Sequence, residues 1–126
     1  MAYTTEGIRN LALVGHAGSG KTTLAESLLL DAGVINEAGV VEKGSTVTDF
    51  DELEQKHHHS LTSSVASYDY SDTHINLIDT PGYPDFIGPT LSVLGAVETI
   101  AIGVNAQNGV ESSARRMMEA VKQRNL

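Results

Sequence analysis

The chain has 126 residues, 40% of them hydrophobic, and no cysteine. This length allows one compact domain at most, and the lack of cysteine excludes disulfides, thiolate metal sites and thiol catalysis. The formal charge of -8 argues against a direct nucleic-acid-binding patch on these residues. No apolar run approaches the roughly 18 residues of a membrane span, and no signal peptide is recognisable, so the sequence predicts a cytoplasmic protein without membrane contact.

The first elements are a strand and a helix. Residues 8–15 form an apolar run that predicts a strand buried on both faces, as in a parallel sheet. Residues 21–33 have the apolar spacing of a helix, and Gly33 is placed to end it. Its core stripe is predicted to contain Leu24, Leu28 and Leu29. From residue 34 to residue 60 the chain is polar, and only "DFDELEQK" within it has weak helical character; connections this long are usually functional or mobile.

The later elements repeat the alternation of strand and helix. Residues 61–70 and 74–79 predict a hairpin that ends in a buried strand. Residues 84–98 predict a loop and a short helix with Pro89 in its first turn, and residues 99–106 another buried strand. An amphipathic helix follows over residues 111–124. Its predicted core positions are Ala114, Met117, Met118 and Val121.

This order predicts the α/β class, with a mostly parallel sheet covered by helices on both faces. Folds of this class bind ligands at the carboxyl ends of their strands. The motifs that carry chemistry should therefore lie directly after the strands.

One such motif follows the first strand. Gly15, Gly20, Lys21 and Thr22 satisfy the phosphate-loop pattern GxxxxGK[ST], between a strand and a helix as its mechanism requires. Glycines let successive N–H groups point at one anion, and the helix N-terminus adds positive potential. Lys21 is predicted to pair with the β and γ phosphates, Thr22 to bind Mg²⁺, and Thr23 to reach the α phosphate. The predicted nucleotide-binding residues of this motif are His16, Ala17, Gly18, Ser19, Gly20, Lys21, Thr22 and Thr23.

Two qualifications apply to this loop. His16 is interpreted as a structural position rather than a catalytic one. The alternative to a phosphate site is an ordinary glycine-rich turn that caps a helix.

A second motif, "LIDTPG", ends the strand that follows the hairpin. Asp79 is placed to hold Mg²⁺ through water from a strand beside the phosphate loop. Gly82 has no side chain to block a γ phosphate, so its N–H can sense that group. A loop that binds the third phosphate and releases it after hydrolysis acts as a switch; taken alone, the same residues would also suit a plain turn.

These stretches resemble the translational GTPases, and most closely elongation factor G. "GHAGSGKTT" resembles the family's first motif, "DTPGYPDF" its "DTPGHVDF", and "ELEQKHHHSLTSS" its "EQERGITITS". The resemblance implies a P-loop NTPase fold, GTP and GDP as ligands, and Mg²⁺. It makes residues 34–60 a mobile first switch, with Ser60 as its metal-binding hydroxyl, and residues 80–89 a second switch.

The sequence departs from the family pattern at three places. Tyr83 stands where the family has the histidine that positions the attacking water, and a phenol is a poor proton acceptor near neutral pH. The candidate catalytic residues are Lys21, Gly82 and Tyr83. The family's "RGIT" has become "HHSL" here, with His57, His58 and His59 in a row; consecutive side chains rarely converge on one metal ion. These changes resemble the divergent elongation factor G-like branch.

The third departure is the absence of "NKxD", the family's guanine-reading motif. Residues 1–126 therefore resemble the N-terminal part of a G domain that lacks its last strands and helices. The preference for guanine rests on the resemblance alone. We expect this chain to bind nucleotide weakly, to discriminate poorly between GTP and ATP, and to self-associate through an unpaired sheet edge.

Three functions are consistent with the sequence. The first is GTP hydrolysis that drives a step on the ribosome, either translocation or ribosome disassembly, with the ribosome bound through the full-length parent. The second is a nucleotide-binding regulatory module with little or no hydrolysis. The third is an ATP-using phosphate-loop enzyme of unrelated role, which the two switch-like motifs disfavour.

Overall fold

The computed structural model describes residues 3–48, 62–83, 85 and 87–126. In this part of the chain there are four strands and three α-helices, with 3-10 turns at Thr5–Gly7 and Val41–Lys43. In chain order the elements are β1 (Ile8–Gly15), α1 (Lys21–Asp31), β2 (Ser64–Tyr70), β3 (Thr73–Asp79), α2 (Ile87–Val93), β4 (Thr99–Gly103) and α3 (Ser112–Gln123). None of the described helices is long and apolar enough to cross a bilayer.

The strands form one mixed sheet in the order β2-β3-β1-β4. β1 is parallel to both β3 and β4, and only β2, which forms the hairpin with β3, is antiparallel. This confirms the predicted α/β class and mostly parallel sheet. In the register of the sheet Leu13 is opposite Asp79 and Gly15 is opposite Gly103, so three strands end at one edge.

Helices cover both faces of this sheet. Side chains alternate along β1, so neighbouring residues of this strand contact different helices. Leu13 packs with Ala25 and Leu29 of α1 on one face. Ala12 and Val14 point to the opposite face, where Met117 of α3 packs against them. The central strand is thus buried on both faces, as its continuous apolar run predicts.

Two predicted core positions are wrong. Leu24 is 47% exposed, because residues five apart on a helix lie about 140° apart and Leu29 already faces the sheet. Met118 is 44% exposed while Met117 is 3% exposed; the neighbouring positions differ by about 100°, which puts Met118 on the rim of the apolar face.

The structure describes the polar stretch after α1 up to residue 48. Gly33, with φ of +71°, ends α1 as predicted. Residues 41–43 then form the second 3-10 turn, and Thr46 and Thr48 are buried. "DFDELEQK", residues 49–56, lies wholly outside the described residues.

Candidate functional site

The phosphate loop occupies residues 16–20, between the end of β1 and the start of α1. Gly18 and Gly20 have φ of +74° and +85°, a left-handed conformation that other residues adopt at a cost. A Cβ at Gly15 would lie 2.4 Å from the Gly103 carbonyl oxygen of β4. The sequence therefore needs glycine here to form the tight bend and to let β1 pair closely with β4.

Lys21 is the first residue of α1 and is 8% exposed. Its ammonium Nζ donates to the carbonyl oxygens of Gly15 at 3.1 Å and His16 at 2.9 Å. Burial lowers the pKa of Lys21, and the Asp79 carboxylate partly offsets this. A buried cation beside a curled backbone is suited to an anion, because the anion would restore the charge stabilisation that water otherwise provides.

Thr22, in the first turn of α1, meets Asp79 at the end of β3. Thr22 Oγ1 donates to Asp79 Oδ2 at 2.6 Å, and Asp79, the last residue of β3, is 1% exposed. A hydroxyl and a carboxylate are the oxygen ligands that Mg²⁺ prefers. The described residues contain no group of three or more acidic or histidine side chains that could hold a metal ion. Thr22 and Asp79 supply one hydroxyl and one carboxylate, which fit an ion that takes its remaining ligands from water and phosphate.

The loop after β3 touches the phosphate loop at Gly82. The Ala17 N–H donates to the Gly82 carbonyl at 2.9 Å. A Cβ on Gly82 would lie 2.5 Å from the Ala17 nitrogen and 2.6 Å from Lys21 Nζ. The same loop is bonded to β1, because the Thr80 hydroxyl donates to the Leu13 carbonyl at 2.7 Å. This close approach is possible only because residue 82 is glycine.

The phosphate loop is also tied to the loop and helix that follow β4. His16 Nε2 lies 3.0 Å from Glu111 Oε2, and its Nδ1 lies 2.7 Å from the Ala17 carbonyl oxygen. Asn105 Nδ2 donates to the Gly18 carbonyl at 3.3 Å. Sequence analysis missed Glu111 and Asn105, because no motif spacing links them to the loop. Both ring nitrogens of His16 thus have a partner within hydrogen-bond distance.

The remaining predicted residues have mixed placements. Ser19 lies against Gly103, where a Cβ would be 2.8 Å from the Ser19 hydroxyl oxygen. Thr23 is exposed on the first turn of α1. Tyr83 follows Gly82 and is 42% exposed. Ser60 and His57, His58 and His59 lie outside the described residues, so the predicted third metal ligand and the histidine run stay predictions.

Comparison with known proteins agrees with this geometry. The family model described as "Elongation factor Tu GTP binding domain" matches residues 6–126. An elongation factor G-like protein of Mycobacterium tuberculosis is 41% identical over 93% of this chain. Peptide chain release factor 3 of Acaryochloris marina is 39% identical over the whole chain. A crystal structure of a Thermus thermophilus protein superimposes on 92% of the chain with a TM-score of 0.88 and 38% identity.

This chain spans only part of those proteins. It covers 16% of the Mycobacterium protein, 24% of the release factor and 18% of the Thermus chain. The similarity therefore concerns the domain that contains the phosphate loop.

Proposed function

Since this chain belongs to the elongation factor Tu GTP-binding domain family, we propose that it binds GTP with Mg²⁺ and, within its parent protein, hydrolyses it to GDP and phosphate. The observation that carries the proposal is the convergence of Lys21, Thr22, Asp79 and Gly82 at one edge of the sheet. One cation, two oxygen ligands and a close-packed glycine are the parts that phosphoryl transfer needs for positioning and charge stabilisation.

Different residues of the site would bind the phosphates and the Mg²⁺ ion. The curled backbone of residues 16–20 and Lys21 would hold the β and γ phosphates. Thr22 and Asp79 would hold Mg²⁺, which when bound supplies positive charge between the phosphates. The Thr22 hydroxyl donates its proton to Asp79 and has lone pairs besides, so it can face the ion and keep that bond.

Gly82 is proposed to report the presence of the γ phosphate. Its carbonyl already bonds the Ala17 N–H, and its Cα lies close to Lys21 Nζ, as the Cβ distance of 2.6 Å implies. A γ phosphate paired with Lys21 would therefore meet the loop at Gly82 directly. Binding of GTP and GDP would then favour different positions of that loop, which is the requirement for a switch.

The two candidate functions, an enzyme and a regulatory module, differ in whether the bound GTP is hydrolysed. Tyr83 adjoins Gly82 in the predicted second switch and is partly exposed. In the enzyme candidate, Tyr83 orients the attacking water without accepting its proton. In the alternative, a regulatory module, the same loop responds to GTP with little or no turnover.

The experiment that separates them is phosphate release from GTP by the intact parent protein with ribosomes present. The variants are Tyr83→His and Tyr83→Phe, and Lys21→Met is the control for a disabled site. If the protein is an enzyme, the wild type should release phosphate much faster than Lys21→Met, and Tyr83→His should release it faster than the wild type. A wild-type rate equal to that of Lys21→Met, with GTP still bound, would favour the module.

The wider assignments follow from the family. The ribosome is the proposed partner through the full-length parent, for a step in translocation or ribosome disassembly, and the proposed location is the cytoplasm.

Among the described strands, β4 pairs only with β1, so its other edge is proposed to self-associate in this chain. Sedimentation at rising concentration tests that proposal, and a strictly monomeric chain would refute it.

A further inference from the structure

His16 opens the phosphate loop, and each nitrogen of its ring faces an oxygen. Nδ1 lies 2.7 Å from the Ala17 carbonyl oxygen, and Nε2 lies 3.0 Å from Glu111 Oε2. A carbonyl and an ionised carboxylate only accept hydrogen bonds, and a neutral imidazole has one N–H to donate. The ring therefore satisfies both contacts only when it carries two protons and a positive charge. A second proton placed on Glu111 instead would sit on the weaker base of the pair.

Glu111, the residue before α3, is itself held by the segment that follows β4. Its Oε1 accepts a hydrogen bond from Asn108 Nδ2 at 3.2 Å, so each oxygen of the carboxylate has a partner. In the same segment Asn105 Nδ2 donates to the Gly18 carbonyl at 3.3 Å. Residues 105–111, which we call the brace, therefore contact the phosphate loop at two points.

The backbone next to the His16 ring is the part of the loop that contacts Lys21 and Gly82. Lys21 Nζ donates to the His16 carbonyl at 2.9 Å, and the Ala17 N–H donates to the Gly82 carbonyl at 2.9 Å. The two ring contacts thus fix the same short stretch that positions the ammonium group for phosphate.

We propose that Glu111 is a positioning residue that keeps the His16 ring doubly protonated and thereby holds the phosphate loop in the shape that binds phosphate. This proposal rests on the proposed function. Loss of the second proton would leave a ring lone pair facing an oxygen, so one of the two contacts would be lost. It would also leave the Glu111 carboxylate without a compensating charge beside a loop suited to an anion. Phosphate binding and proton binding at His16 should therefore strengthen each other.

The charged groups that face this stretch come from three elements. They are Glu111 before α3, Lys21 of α1 and, next to Lys21, Asp79 of β3. Lys21 and Asp79 are unchanged in every variant used below, so a difference between variants reports on the pair of His16 and Glu111.

Glu111→Gln removes the need for the second proton while keeping the contacts. Its amide oxygen can accept from Asn108 as before, and its –NH2 group can donate to Nε2 of a neutral ring. The matched control is Glu119→Gln, which neutralises an exposed glutamate of α3.

The first measurement is ¹⁵N NMR of the His16 ring without nucleotide, with His16→Gln to assign its signals. The pH runs from about 6 to about 8, which spans the ordinary titration of histidine. The wild type and Glu119→Gln should keep both ring protons to a higher pH than Glu111→Gln does. Equal ring titrations in the wild type and Glu111→Gln would overturn the role of Glu111.

The second measurement is titration with fluorescent GTP and Mg²⁺ at the two ends of this pH range. The wild type and Glu119→Gln should bind about fivefold or more weakly at the higher pH, because a hydrogen bond to a charged group is lost. Glu111→Gln should lose most of this pH dependence, since groups on the nucleotide titrate alike in every sample. His16→Gln lacks the titrating ring and should lose it too, which keeps the test valid where Glu111→Gln folds poorly. A pH dependence that persists in both variants, or is absent from the wild type, would overturn the proposal.

The two proposals fail in different ways. Failure of the proposed function appears as a wild-type chain that binds GTP at neither pH. The ring titration without nucleotide still decides whether Glu111 holds the second proton on His16.

Discussion

Gly82 occupies a crowded backbone position of the site. A methyl group there would lie 2.5 Å from the Ala17 nitrogen and 2.7 Å from the Ala17 Cα, and neither backbone atom can rotate away. Overpacking of this kind costs about 1–3 kcal/mol, so Gly82→Ala should displace the phosphate loop and weaken GTP binding about tenfold or more. Titration with a fluorescent GTP derivative measures the change.

Gly88 provides the matched control for that substitution. It lies in α2, and a Cβ there would meet no atom within 4 Å. Gly88→Ala should leave GTP binding unchanged and raise the free energy of unfolding by about 0.5–1 kcal/mol, because alanine loses less backbone entropy in a helix. Equal nucleotide affinities in Gly82→Ala and the wild type would show that the close approach has no role in binding.

The lowered pKa of Lys21 makes the free energy of unfolding depend on pH. Burial lowers its pKa below the ordinary value of 10.5, and Asp79 partly offsets the effect. Between the lowered pKa and 10.5 the unfolded chain binds a proton that the folded chain does not, so the free energy of unfolding rises with pH in that window. Below the lowered pKa both states are protonated and the contribution is constant.

Lys21→Met removes this titration. We expect the wild type to gain stability relative to Lys21→Met as the pH rises toward 10.5, measured by urea unfolding at several pH values. A difference between the two proteins that does not change with pH would contradict the burial argument, since all other groups titrate in both.

Motif residues could be predicted because chemistry fixes their type and spacing. Lys21, Thr22, Asp79 and Gly82 do come together at one site. The burial of Glu26 in α1 could not be predicted, because the partners of its carboxylate are backbone amides 13 and 21 positions away, and an amide leaves no signature in the sequence. A glutamate in a helix otherwise predicts an exposed side chain.

Among the elements, α3 shows how strongly the face of a helix matters. Met117 is 3% exposed and packs under β1, whereas Met118 is 44% exposed. Met117→Ala should lower the free energy of unfolding by about 2–5 kcal/mol through loss of buried area and a residual cavity. Met118→Ala should change it by no more than about 0.5 kcal/mol. Urea unfolding of the two variants measures both values, and similar losses would mean that the assignment of the buried face is wrong.

All four strands and all three helices of the described chain could be placed from apolar periodicity and turn residues. The rotation of each helix could not be, because adjacent apolar residues such as Met117 and Met118 satisfy the pattern equally well. The compact loop over residues 39–47 was missed for a different reason. Its backbone amides at Gly39 and Val47 are held by the Glu26 side chain, and periodicity does not reveal such bonds.

At the scale of the whole molecule, the parallel sheet explains why the site exists. β1, β3 and β4 run in one direction, so the residues that follow them gather at one edge, where α/β folds bind ligands. The order of strands and helices was sufficient to predict this arrangement. The contacts of the phosphate loop with Asn105 and Glu111 were not predictable, because they depend on how the segment after β4 returns to the loop.

The most direct test of the account is the Mg²⁺ dependence of nucleotide binding. Fluorescent GTP should be titrated against this chain, up to millimolar concentration, with Mg²⁺ and with EDTA, for the wild type and Thr22→Val. We predict that Mg²⁺ strengthens binding to the wild type about tenfold or more, and that Thr22→Val loses this gain because it lacks the hydroxyl that meets Asp79. Wild-type binding that is absent, or equally tight without Mg²⁺, would contradict the assignment of this edge as a magnesium–nucleotide site.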